Sequence, residues 1–169
     1  RVGETELPSL APGESVPATT PVDTERIRTL LAGRDVSFGQ FDDAELACPT
    51  RNAVYFWNAS NPQILQLRAQ WRGIAETDAQ FTDLVDEVAA CNSTRTGPKA
   101  YLASLEDGRR YGLIAECNVV AMEGLTEAQL NSFFETSMAM IMGFFSDLEE
   151  GLPDFVTWAD ESTPVQEQA

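Results

Sequence analysis

Residues 91–102 read "CNSTRTGPKAYL" and set a thiol, hydroxyl and amide side chains, an arginine, a glycine and a lysine side by side. Such a set could serve as a nucleophile or as a loop that holds phosphate. A thiol nucleophile, Cys91 or Cys117, needs a neighbouring base or cation to hold it as thiolate, and the chain has no histidine. Acid/base work could fall to Glu116, Asp107 or Glu123, but with 27 acidic residues in the chain, solubility alone accounts for carboxylates at these places. A phosphate loop presents free N–H groups from the start of the helix that follows it. This stretch instead follows a helical pattern and leads into a strand, with Gly97-Pro98 as the stop and Arg95 suited to the negative end of the helix dipole. It reads as a helix-to-strand junction, and no catalytic residue or enzyme activity is expected.

The three cysteines, Cys48, Cys91 and Cys117, show no CxxC spacing. Without histidine this argues against a metal or haem site, and no cofactor is expected. Reduced, buried thiols are the simplest reading, with one disulfide left open should the protein be exported. The sequons Asn58-Ala59-Ser60 and Asn92-Ser93-Thr94 matter only in a glycosylating compartment.

Charge is distributed unevenly. The net charge is −16; all eleven basic residues lie at or before Arg110, and positions 111–169 hold eleven acidic residues. Binding to nucleic acid through phosphate neutralisation is excluded on this balance. No apolar run approaches the roughly 20 residues of a membrane-spanning helix. A cytoplasmic bacterial protein is expected, and an exported form stays open because the chain opens on Arg1.

These residues must be positioned by regular elements. Residues 1–23, with four prolines and no periodicity, read as an extended arm; 24–153 as one α+β domain; and 154–169 as an acidic tail that Phe155, Val156 and Trp158 could anchor. A first helix spans Thr24 to about Arg34, with Thr24 as N-cap. Strands follow near Val36–Phe41 and Ala53–Asn58. In "QILQLRAQWRG", Leu65, Leu67, Ala69 and Trp71 alternate with polar residues, the period of a strand with one buried face. "TDAQ" at 77–80 is a capping box opening a helix with Phe81, Leu84, Val85 and Val88 inward. Asp107-Gly108 lies between two apolar runs as a hairpin turn, and "TEAQ" at 126–129 caps the last helix. The antiparallel sheet packed against helices thus has the order helix, three strands, helix, two strands, helix.

The last helix carries Leu130, Phe133, Phe134, Met138, Met140, Ile141, Met142, Phe144, Phe145 and Leu148 over an arc of roughly 200°. That is more than one sheet covers, so the excess must meet the first helix, the tail, a second subunit or a ligand, and Met138, Met142 and Phe145 are the candidate contacts. On the polar strand face Arg68 and Arg72, with Arg95 and Lys99 near them, are candidates to receive an acidic ligand or the acidic helix of a second subunit; a solvated sheet face is the simpler explanation, since alternate polar residues are what an antiparallel sheet shows to water.

The pieces "ILQLRAQW" at 64–71, "CNSTRTGPKAYL" at 91–102, "EDGRRYGLIAECNV" at 106–119, "GLTEAQL" at 124–130 and "FFSDLEEGLP" at 144–153 resemble, in order and spacing, the YbjN family of bacterial sensory transduction regulators, above all its actinobacterial members. Cys91 stands where an aromatic is expected, and Gly97 where a bulky residue often precedes the proline. The resemblance implies a fold like the small dimeric chaperones of type III secretion, with no catalytic residues to carry over. The expected function is that of a non-catalytic protein-binding module, regulatory or chaperone-like and homodimeric, its protein partner unknown. An acidic decoy or scaffold that occupies a basic partner is the alternative.

Overall fold

The computed structural model describes residues 12, 13, 15–106 and 108–159, so the Asp107 candidate lies outside the described residues. Helix α1 (Thr24–Gly33) leads into four strands, β1 (Gly39–Gln40), β2 (Glu45–Pro49), β3 (Ala53–Asn58) and β4 (Ile64–Ala75). Helix α2 (Asp78–Thr94), strands β5 (Lys99–Ser104) and β6 (Tyr111–Val120), and helix α3 (Glu127–Gly151) follow, and a 3-10 turn (Pro153–Phe155) closes the order. The strands form one antiparallel sheet, β1-β2-β3-β4-β6-β5. The α+β class is as expected, with one strand more than expected.

The extra strand is β2. Its "ELACP" holds glutamate, alanine and proline, which have little preference for a pleated surface. It forms because Leu46 and Cys48 are buried while β3 supplies the ladder, Leu46 opposite Trp57 and Cys48 opposite Tyr55. The strand expected over Val36–Phe41 shrinks to two residues. The cap of α1 is Asp23 rather than Thr24: its carboxylate accepts from the Arg26 N–H at 2.8 Å.

One face of the sheet carries the core. Tyr55, Trp57, Leu67, Trp71, Leu113 and Ala115 are nearly inaccessible, and all three helices pack there. Ile27 and Leu31 of α1 join this core. Trp57 stacks on Phe134 of α3 at 5.6 Å and meets Phe133 edge-on at 6.1 Å. Phe145 lies 6.5 Å from both Tyr55 and Trp71. On α2 only Leu84 and Cys91 are buried; Phe81, expected inward, is partly exposed and leans on Tyr111 at 4.7 Å, and Val85 faces water. Past α3, Phe155 and Trp158 close over Trp71 at 5.7 and 6.0 Å, so the core extends to Trp158.

The junction after α2 is built as a splice. Cys91 donates its S–H to the Pro98 carbonyl at 3.4 Å. The Asn92 amide grips both backbone groups of Ala100, accepting from its N–H at 2.8 Å and donating to its C=O at 2.9 Å. A side chain thus stands in for a neighbouring strand on the outer side of β5. Gly97 makes room for α3, since a Cβ there would lie 2.8 Å from Met140 Sδ. "CNSTRTGP" is a structural joint.

The charge imbalance along the chain is folded back on itself. Arg26 pairs with Glu127 at 2.9 Å, Arg34 with Glu135 at 3.0 Å and Arg95 with Asp147. Basic residues from before Arg110 therefore hold acids of α3. Each exposed pair is worth no more than about 1 kcal/mol.

Candidate functional site

Because all three helices lie on one side, the opposite face of the sheet has no helix on it. Register puts Ala47, Phe56, Arg68, Glu116 and Lys99 in one row across five strands. The rows beside it hold Glu45, Asn58, Gln66 and Asn118, and Val54, Gln70, Ile114 and Tyr101. Arg68, Phe56, Glu116, Tyr101 and Asn118 of this face contact one another, Glu45 or, through Phe56, the segment around Phe41.

The row is pre-ordered by its own contacts. Arg68 donates to Glu45 at 3.0 Å and lies 4.3 Å over the Phe56 ring, which meets the exposed Phe41 edge-on at 5.0 Å. Glu116 is 9% exposed and accepts from Tyr101 Oη at 3.1 Å and from Asn118 Nδ2 at 3.0 Å, with Lys99 Nζ at 3.6 Å. A charge this buried is tolerated because donors surround it. At one end a hollow of about 430 Å³ opens between Val54, Phe56, Gln70, Arg72 and Ile74.

The cations read from the sequence do not converge. Arg68 and Lys99 share the row on either side of Glu116. Arg72 sits at the sheet's other end, 5.7 Å over the Trp158 ring. Arg95 is on the helical side, paired with Asp147 and 5.4 Å over Phe144. A four-cation receptor for an acidic ligand is therefore not formed. Of the α3 candidates, Met142 is 56% exposed, Met138 is half-buried against the core, and Phe145 is fully enclosed. The expectation that Phe145 meets a partner is corrected: the sheet itself takes the rings of the wide apolar arc, Phe145 against Tyr55 and Trp71, and Phe133 and Phe134 against Trp57. The sequence reading missed Phe41, Phe56 and Val54 on the open face. "AVYFWN" looks uniformly apolar, and only the alternation imposed by the pleat shows that Val54 and Phe56 point away from the core.

The thiols are poorly placed for nucleophilic work. Burial pushes Cys48 up to about 11. Burial, then Glu116 and Cys91, pushes Cys117 up to about 11. Burial also raises Cys91, partly offset by Arg95, and Tyr55 is pushed up to about 12 by burial and by Glu149. All three cysteines are unpaired, and no metal-holding cluster occurs among the described residues. Folded groups that hold protons more tightly than unfolded ones stabilise the fold below the unfolded value and lose that contribution as pH rises through the folded one. The contribution of these groups should therefore be fully present below about pH 9 and fall between pH 9 and 11, by at most about 2–3 kcal/mol for Cys48. Urea titrations across this range check it; unchanged midpoints at pH 10.5 would refute the burial of these groups.

The family model described as "Putative bacterial sensory transduction regulator" matches residues 23–150, most of the chain. The chain belongs to the YbjN family. The fold agrees with two solved structures that resemble this YbjN-family chain. The crystal structure of YbjN from E. coli, "a putative transcription regulator", aligns with a TM-score of 0.67 at 16% identity, covering 79% of this chain and 96% of that one. An uncharacterized protein from Methanothermobacter thermautotrophicus aligns at 0.50 and 12% identity, covering 75% and 96%. No curated protein matches the sequence. Among the described residues, no helix is long and apolar enough to cross a membrane.

Proposed function

We propose that this YbjN-family chain is a non-catalytic regulatory module of the bacterial cytoplasm that binds protein through the helix-free face of its sheet, a second copy of itself being the first partner. The observation that carries this is the row from Phe41 and Phe56 through Arg68 to Glu116 and Lys99. It is apolar at one end, carries both signs of charge, and is fixed by its own hydrogen bonds before any partner arrives. A surface of that kind can be complementary to itself across a two-fold axis, and preordered side chains reduce the entropy lost on association. Three unpaired thiols suit a reducing compartment. With a net charge of −16, action on transcription, as the E. coli neighbour's description has it, would run through a protein and not through DNA phosphates.

The test is sedimentation equilibrium on the wild type and on Ile114→Glu, which puts a carboxylate in the middle of the face without touching the buried side. The wild type should be dimeric at micromolar concentration, and the variant monomeric with an unchanged circular dichroism spectrum. A wild type that stays monomeric throughout would remove the self-association reading.

A further inference from the structure

Each edge of a sheet exposes backbone N–H and C=O groups that invite another strand, and proteins blunt such edges. Two edges here are blunted: β1 is only two residues long, and the outer side of β5 is occupied at Ala100 by the Asn92 amide. A third is not. β5 begins with Lys99 opposite Glu116, but β6 runs on to Val120. Residues Cys117, Asn118, Val119 and Val120 pair with β4 on one side, opposite Leu67, Gln66, Leu65 and Ile64, and among the described residues have no strand on the other. Val120 is 69% exposed.

Helix α3 runs alongside this overhang without closing on it. A hollow of about 570 Å³ separates Val119 and Val120 from Ala128, Ser132, Phe133 and Thr136. It adjoins a second of about 390 Å³, which Phe133 and Thr136 also line and which reaches Pro98, Cys117 and Met140. The result is a trough with a backbone edge as one wall and a helix of small, hydroxyl and apolar side chains as the other. Four residues of strand make it about 13 Å long. Leu125, which also lines the larger hollow, pairs with Thr20 as an isolated antiparallel bridge, with backbone hydrogen bonds of 3.1 and 2.9 Å.

We propose that the trough between the β6 overhang and α3 receives an extended segment of a partner protein, which adds as a strand beside Cys117–Val120 in line with β5. Main-chain hydrogen bonds would supply the affinity, and alternate side chains would be sorted by the hollows. The overhang selects an extended backbone, because helix or coil cannot answer a row of ladder groups. The wall admits small or β-branched apolar side chains at every second position. The net charge of −16 disfavours acidic segments and speeds the arrival of basic ones. The described part of the chain's own arm does not fill the trough: residues 15–19 are exposed, and Pro17 lacks the N–H that a ladder position needs. The proposal rests on the protein-binding reading but uses a different surface from the open sheet face.

The probe is the peptide acetyl-Lys-Val-Thr-Val-Thr-Val-Lys-amide, titrated into the full chain and followed by amide NMR and hydrogen exchange. A twin with alternate N-methylated residues, a twin with glutamates in place of the lysines, and the Ser132→Trp variant, which fills the trough from an exposed helix position, serve as controls. Shifts should appear at residues 117–120 and 128–136, with amide exchange at 117–120 slowed about tenfold or more at saturation. The N-methylated twin should fail, Ser132→Trp should weaken binding about tenfold or more, and the glutamate twin should bind more weakly. No shift in the trough at millimolar peptide, shifts confined to another edge, or equal binding by the N-methylated twin or by Ser132→Trp would overturn the proposal. Sedimentation of the same samples separates the two readings: a dimer that ignores the peptide leaves the sheet-face reading standing alone, and a monomer that binds it leaves only this one.

Discussion

Phe145→Ala should destabilise the fold by about 3–5 kcal/mol, whereas Met142→Ala, three residues earlier on the same helix, should change it by no more than about 0.5 kcal/mol. Phe145 has no accessible surface and its ring touches Tyr55, Trp71 and Phe144. Its removal opens a cavity beneath the centre of the sheet, where the ladder holds the walls apart and relaxation is limited. Met142 is 56% exposed and loses little. Urea denaturation of both variants decides the matter. If Phe145→Ala unfolds at the wild-type midpoint, the side chain is not in the core, and its candidacy as a partner contact reopens.

Gly73→Ala should be nearly as damaging, by about 3 kcal/mol, at the upper end of the overpacking range. Gly73 lies in the register shift between Gln70 and Ile74, where β4 bulges against β6. A Cβ there would stand 2.6 Å from Cε3 and Cη2 of Trp71 and closer still to Cζ3. The indole cannot give way, because Phe145, Phe155 and Trp158 hold it from other directions. Its Nε1 has no hydrogen-bond partner, so shape alone keeps it in place, at the cost of an unmet donor. A thermal melt is the measure, and an unshifted midpoint would mean the ring has room to slide. Gly112→Ala is the control: its nearest neighbour would be 3.4 Å away, the Gln70 side-chain amide.

Much of the architecture was legible because local and tertiary preferences coincide. The alternation from Leu65 to Trp71, the paired apolar runs of β5 and β6 and the Thr126–Gln129 box each specify one conformation in few residues. The box forms in full, Thr126 Oγ1 accepting from the Gln129 N–H at 3.1 Å and Gln129 Oε1 from the Thr126 N–H at 2.8 Å. The box at Thr77 is displaced by one residue, since Gln80 reaches the Glu76 N–H. β2 was illegible because β3 imposes it from outside the segment. Burial on α2 was misjudged because helical period gives a face but not the depth of what it faces: Phe81 leans on the half-buried Tyr111 and Val85 faces water. The candidate surfaces were least legible. The trough exists because two strands differ in length, and the open sheet face because three helices chose the same side; neither is a property of any short stretch of residues.

The match to the family ends at residue 150, short of the two rings that close over Trp71. Trp71 and Trp158 meet 6.0 Å apart with their planes 89° to one another, close enough for the two indoles to share an asymmetric environment that near-ultraviolet circular dichroism reads. The molecule thus carries an optical gauge of its own C-terminal seating. A fading signal in the aromatic region, while the peptide bands hold steady, would report that this segment has lifted off before the remainder lets go.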